Sequence, residues 1–118
     1  MPLLTVCEVY VYVLLFALII LHTFHLIDKP GALEQRVALR PLHKEYLSQV
    51  GQDVAFAGPL TSDDGQTMVG SLLVIDFPNR DAAHAWIKEE PFTKAGVYAS
   101  VSIYPFENLW PQKKGFPK

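Results

Sequence analysis

The hydrophobic period changes along this chain in a set order, and that order restricts the folds open to it. LHTFHLID, Leu21 to Asp28, alternates loosely and stops at Lys29-Pro30-Gly31, as a strand does. A helical stripe follows, then DVAFAG (Asp53 to Gly58) and MVGSLLVIDF (Met68 to Phe77), two strand-like runs parted by a polar loop with a turn signal at Asp64-Gly65. After Phe77-Pro78-Asn79, with Asn79 placed to cap it, RDAAHAWIKEE reads as a second helix that buries Ala83, Trp86 and Ile87. Pro91 stops it, Gly96 ends one further turn, and VYASVSIYPF closes the series as a last strand. Strand, helix, strand, strand, helix, strand is the ferredoxin-like βαββαβ order, an α+β fold with an antiparallel sheet.

The first helix carries the most reactive side chains. From about Ala32, the spacing puts Leu39, Leu42, His43, Tyr46, Leu47 and Val50 on one amphipathic face, so His43 points inward or into a cleft. Arg36, Arg40 and His43 follow at helical spacing on its flank, two fixed positive charges beside an imidazole. That is an anion-facing stripe, although a histidine on such a face is commonly a core residue and arginines commonly make surface ion pairs. Pro41 has no N–H for the carbonyl of Val37 and disfavours helical geometry at Arg40, which predicts a kink or restart. Asp28 ends the strand just before this helix, placed either to orient an imidazole or to form the turn before Pro-Gly.

Charge and cysteine content exclude several classes. A formal net charge of -2 with no long basic run offers no general attraction to nucleic acid. The single cysteine, Cys7, cannot form an internal disulfide, and no cysteine cluster suggests zinc or iron–sulfur ligation; a cytoplasmic location fits. His22 and His25 form an H-x-x-H pair, but residues three apart on a strand face opposite ways and do not share a metal. At 118 residues the chain is one domain whose open sheet gains from a partner, so a dimer is expected.

Residues 1–21 form an apolar N-terminal extension in which Glu8 is the one charged residue. Its uninterrupted core, Val9 to Leu21, is shorter than the ~20 residues of a spanning helix. No Lys or Arg precedes Lys29 and no small-residue cleavage site follows, which argues against an export signal. A membrane anchor, an extension of the first strand, and an appendage from a misassigned start remain as readings of it. An anchor would leave the domain in the cytoplasm, because the nearest positive charges follow the segment.

Within the third strand, Gly70 leaves room for close backbone approach, and Ser71 sets a hydroxyl among apolar neighbours without the G-x-S-x-G context of a nucleophile. In the last strand Val97, Ala99, Val101 and Ile103 make one apolar face for the helices. Tyr98, Ser100, Ser102 and Tyr104 then look toward a partner sheet or a ligand cavity. Residues 107–118 form a tail rich in proline, lysine and aromatics, able to wrap a neighbour through Trp110 or to fray.

Residues 24–106 closely resemble the YciI-like (YCII-related) family of the dimeric α/β barrel superfamily. The resemblance is carried by DKPG at Asp28 to Gly31, LRPLH at Leu39 to His43, AGPL at Ala57 to Leu60, DDGQTMVGS at Asp63 to Ser71, EPFTKAGVY at Glu90 to Tyr98, and the closing IYPF. It implies a YCII-related domain over residues 22–106, a homodimer whose two sheets face each other, and a pocket with a histidine–aspartate pair. His43 takes the histidine position; for the carboxylate, Asp28 comes first and Asp64 second. Many relatives have Asp-Pro-Phe where this chain has Glu90-Pro91-Phe92, so a carboxylate acting there has a longer side chain.

The function expected is that of a cofactor-independent enzyme. His43, oriented by Asp28, moves a proton while Arg36 or Arg40 holds negative charge on an anionic or phenolic metabolite, with Asp64 and Ser71 as further binding candidates. Isomerisation, or an elimination such as halide loss, is the reaction class. The competing expectation is a non-catalytic dimer that binds or senses a ligand in the same pocket.

Overall fold

The structure, a computed structural model, describes residues 20–115. The apolar stretch before Ile20 lies outside the described residues, as do the readings placed on it. Four strands, β1 (Leu21–Asp28), β2 (Val54–Thr61), β3 (Met68–Asp76) and β4 (Tyr98–Phe106), form one sheet in the order β2-β3-β1-β4. Every neighbouring pair is antiparallel. Helices α1 (Leu33–Ser48), α2 (Arg80–Lys88) and α3 (Pro91–Lys94) complete the α+β, ferredoxin-like order that the hydrophobic periods predict. Among the described residues, no helix is long and apolar enough to cross a membrane.

β1 lies inside the sheet because its alternate residues suit a covered face: His22, Phe24 and Leu26 are buried. His25 points the other way and is exposed, so the two histidines of the H-x-x-H pair do lie on opposite faces. Beside Leu26, Gly70 permits the approach its sequence position suggests, since a Cβ there would overlap the Leu26 carbonyl. On the covered face, Leu73, Ile75 and Ile103 join Ala83 and Ile87 of α2 and Phe92 of α3 in one core. Trp86 seals its end, 5.5 Å from Phe24 and 5.7 Å from Phe77 between ring centroids. The Asn79 side chain caps α2 by accepting from Ala82 N at 2.8 Å.

Expectations for α1 and for β4 are corrected. α1 runs unbroken from Leu33 to Ser48 with Pro41 inside it, so the helix does not restart there. Pro41 is exposed, as is Val37, whose carbonyl loses its helical partner, and water can take that partner's place. The buried stripe of α1 is also rotated from the predicted one. Leu42 is 54% exposed, whereas Arg36 is only 2% exposed, so the inward face runs Ala32, Arg36, Leu39, His43, Leu47. Apolar periodicity misses this because the most buried large side chain on the face is an arginine.

The second correction concerns β4. Ile27 pairs with Ser100 but Asp28 pairs with Tyr98, so Ala99 is an extra residue, a bulge. The bulge turns Tyr98 to the helix-covered side with Ile103 and leaves Ser100, Ser102 and Tyr104 on the open face. Leu72 of β3 and Tyr104 and Phe106 of β4 are exposed on that face. Beyond β4, Leu109 and Trp110 extend into solvent.

Candidate active site

A cavity of about 170 Å³ opens between α1 and the β2–β3 half of the sheet. Arg36, Arg40, His43 and Lys44 line it from the helix, Gly58 and Pro59 from β2, and Ser71 from β3. Its helical wall therefore carries three permanent cations and an imidazole. Among the described residues no ion pair engages Arg40 or Lys44.

His43 is held at the base of this wall. Its Nδ1 hydrogen-bonds Oε1 of Glu90, a carboxylate with no exposed surface, and its ring stacks on Phe92 with centroids 4.3 Å apart and planes 14° from parallel. Local sequence explains the placement of Glu90. Pro91 starts α3 at the position where a missing N–H costs nothing, which makes Glu90 the cap. Glu90 Oε2 accepts from Thr93 N at 3.1 Å and lies 3.4 Å from Thr93 Oγ1, leaving Oε1 for the imidazole. With Nδ1 donating to a carboxylate, the tautomer follows: Nε2 carries the free lone pair.

Asp28 does not meet His43, and this corrects the pairing expected from sequence. Asp28 binds Arg36 instead, with Nε donating to Oδ2 at 2.7 Å and Nη2 to Oδ1 at 3.4 Å. The reason is helix length. Arg36 lies near the start of α1, close to the end of β1, whereas His43 is seven residues further on, ~10 Å along the axis. Arg36 Nη2 also donates to Ser71 Oγ at 2.6 Å, and its guanidinium lies 4.6 Å from the Phe92 centroid. Buried with its carboxylate, Arg36 is no freely available cation.

Asp64, the second choice of carboxylate and a binding candidate, is not brought to the cavity. It sits in the β2–β3 hairpin, where it accepts from Ser62 Oγ at 2.7 Å and from Gln66 N at 3.0 Å. These bonds, the Ser62 hydroxyl first, hold its pKa below the ordinary carboxylate value. Of the residues singled out from sequence, the structure gathers His43, Arg36, Arg40 and Ser71 around one cavity and puts Asp28 behind Arg36.

Sequence reasoning missed Glu90 as the partner of His43, Phe92 beneath the imidazole, Lys44 on the rim and the inward turn of Tyr98. A carboxylate directly before Pro91 was the available signal for Glu90. Tyr98 meets Phe92 edge-on, 6.0 Å between centroids at 87°. Burial first, then the Glu90 charge, pushes its phenol well above the ordinary value.

Comparison with known proteins agrees with this architecture. The family model of the YCII-related domain matches residues 20–107. Protein YciI of Escherichia coli O6:H1 is 31% identical over 97 residues, 76% of this chain and 99% of the relative. An uncharacterized protein of Haemophilus influenzae is 33% identical over 90 residues, 70% of this chain and 92% of the relative. Among solved structures, the 5-chloro-2-hydroxyhydroquinone dehydrochlorinase TftG of Burkholderia phenoliruptrix AC1100, in complex with 2,5-dihydroxybenzoquinone, superposes with a TM-score of 0.69 at 28% identity. That match covers 74% of this chain and 93% of TftG.

Proposed function

The chain belongs to the YCII-related domain family, and from that premise we propose that it is a small-molecule enzyme in which His43, held by Glu90, moves a proton of a single-ring phenolic or anionic substrate. The observation that carries this reading is the commitment of Nδ1 to a buried carboxylate, which leaves Nε2 as a base on a cavity-lining residue. The carboxylate stabilises the imidazolium once the proton arrives. Arg40 and Lys44 at the cavity hold negative charge developing on the substrate oxygen.

Size and likeness narrow the substrate. A cavity of about 170 Å³ is comparable to the ~150 Å³ apolar cavity that admits benzene, so it accommodates a single ring. TftG, by its name, removes chloride from a chlorinated hydroxyhydroquinone, and the same chemistry fits a His43 base. In such a reaction the ring ketonises as a hydroxyl proton moves to the chlorine-bearing carbon. A second hydroxyl then gives up its proton, its electron pair enters the ring, and chloride leaves with its bonding pair. The sum is loss of HCl, balanced without an oxidant; stopping after the first step is an isomerisation. The same reading makes the chain a homodimer that packs through the open sheet face, where Leu72, Tyr104 and Phe106 are exposed.

Chloride release from chlorinated hydroxyhydroquinones tests the reading, with keto–enol isomerisation followed by ultraviolet absorbance on the same panel. Turnover abolished by His43→Ala, with fold and oligomeric state kept, is the expected result. Tight binding of 2,5-dihydroxybenzoquinone that depends on His43, with no turnover of any panel member, would replace the enzyme by a binding module.

A further inference from the structure

Two buried polar groups of residues approach each other behind the cavity, and no hydrogen bond found among the described residues joins them. One runs from Asp28 through Arg36 to Ser71; the other joins His43, Glu90 and Thr93. The Phe92 ring touches both. Tyr98 packs edge-on against that ring, is 7% exposed, and has a buried hydroxyl with no hydrogen-bond partner among the described residues. A buried polar group left unpaired costs about 1–3 kcal/mol. The bulge at Ala99 nevertheless turns this phenol inward, against the alternation of its strand.

Partners stand beside it. Tyr98 pairs with Asp28 and Ser71 with Leu26, so both side chains share the covered face across β1, and the Phe92 ring that Tyr98 meets stacks on the imidazole Glu90 holds. Ser71 accepts from Arg36 and keeps its own proton to give, and the carboxylate of Glu90 has lone pairs beyond those used by His43 and Thr93. We infer that Tyr98 links the two groups, its hydroxyl accepting from Ser71 and donating to Glu90, so that one chain of hydrogen bonds runs from Asp28 to His43.

Tyr98 is then a positioning residue acting through Glu90. A hydrogen bond donated to the carboxylate draws off part of its charge and weakens its hold on the imidazolium. The phenol stays a neutral donor across the neutral range because burial opposes its ionisation and the Glu90 charge adds to that. The other charged or titratable groups around His43 are Arg36, Arg40 and Lys44 on α1, with Asp28 behind Arg36 and Tyr46 one turn on. None of these changes when the hydroxyl of Tyr98 is removed. The inference rests on His43 as the proton carrier, yet its test needs no substrate, so absence of turnover and absence of coupling are separate results.

The experiment is an NMR titration of the His43 ring in the full chain, for the wild type, Tyr98→Phe and Ser71→Ala. Phenylalanine keeps the ring packing and removes the link. The His43 midpoint should rise by about 0.5 pH units or more in Tyr98→Phe, roughly a threefold gain in proton affinity, and shift the same way but less in Ser71→Ala. A merely structural tyrosine would change stability and leave the midpoint unmoved. An unmoved or lowered midpoint in Tyr98→Phe overturns the inference; should that variant fail to fold, an unmoved midpoint in Ser71→Ala does so.

Discussion

Glu90 bonds His43 Nδ1 with one carboxylate oxygen and caps α3 with the other. One side chain thus orders the local backbone and fixes the imidazole tautomer, so changes at Glu90 act on fold and site together.

Shortening or neutralising that side chain separates the two roles. Glu90→Asp should reach the cap or the imidazole but not both. Glu90→Gln has a single acceptor oxygen: with it on Thr93 N, the NH2 faces Nδ1 and donates, which moves the ring proton to Nε2 and removes the base. Turnover should fall by about 10- to 100-fold in both, by analogy with the size of general-base effects. Glu90→Ala should also lose about 2–4 kcal/mol of stability, from the cap and the unpaired imidazole N–H, read by urea unfolding.

The Asp28–Arg36 pair makes the opposite prediction, because it is structural first. Arg36 is 2% exposed, so Asp28→Ala strands a buried guanidinium and should cost about 3–5 kcal/mol. Removing both charges with Asp28→Leu and Arg36→Met should recover most of that loss. Chemical denaturation of the two variants checks both statements; a double variant as unstable as the single one would contradict them.

Much of this architecture is legible in the sequence, for definite reasons. Strand and helix periods, the Asn79 cap and the space needed at Gly70 are local signals that tertiary structure did not override. His43 on an inward helical face was legible too. What the pattern hides is polar burial. Arg36 reads as a flanking surface charge until Asp28 and Ser71 are seen around it, and Leu42 reads as core until Arg36 takes the inward stripe. The bulge at Ala99 has no glycine or proline to announce it, so strict alternation puts Tyr98 on the wrong face. Glu90 meets His43 across 47 residues of chain, a distance that no short-range spacing rule spans.

Alkaline stability reports on Tyr98 directly. Its folded pKa is raised, by burial first and the Glu90 charge second, above the ordinary value of about 10. The folded state therefore holds its proton where the unfolded chain has lost it, and stability falls as pH rises above about 10. The contribution is fully present below that pH. Unfolding free energy measured between pH 9 and 11 should decline, with a shallower slope in Tyr98→Phe; Tyr46, also raised by burial first, accounts for part of the remaining slope.

The open sheet face predicts association. Leu72 lies on it beside His25 of β1, and Tyr104 and Phe106 extend it across β4. Leu72→Asp should convert a dimer to a monomer in analytical ultracentrifugation, whereas Leu42→Asp, exposed on α1, should not. Equal sedimentation of both variants and the wild type would remove that face from the account.

The central claim, that Nε2 of His43 is the base, is tested most directly by chloride release from a chlorinated hydroxyhydroquinone with the wild type and His43→Asn side by side. The account predicts release by the wild type and a rate about 100- to 10,000-fold lower in the variant, with the fold intact by circular dichroism. Release at the wild-type rate from His43→Asn would contradict it.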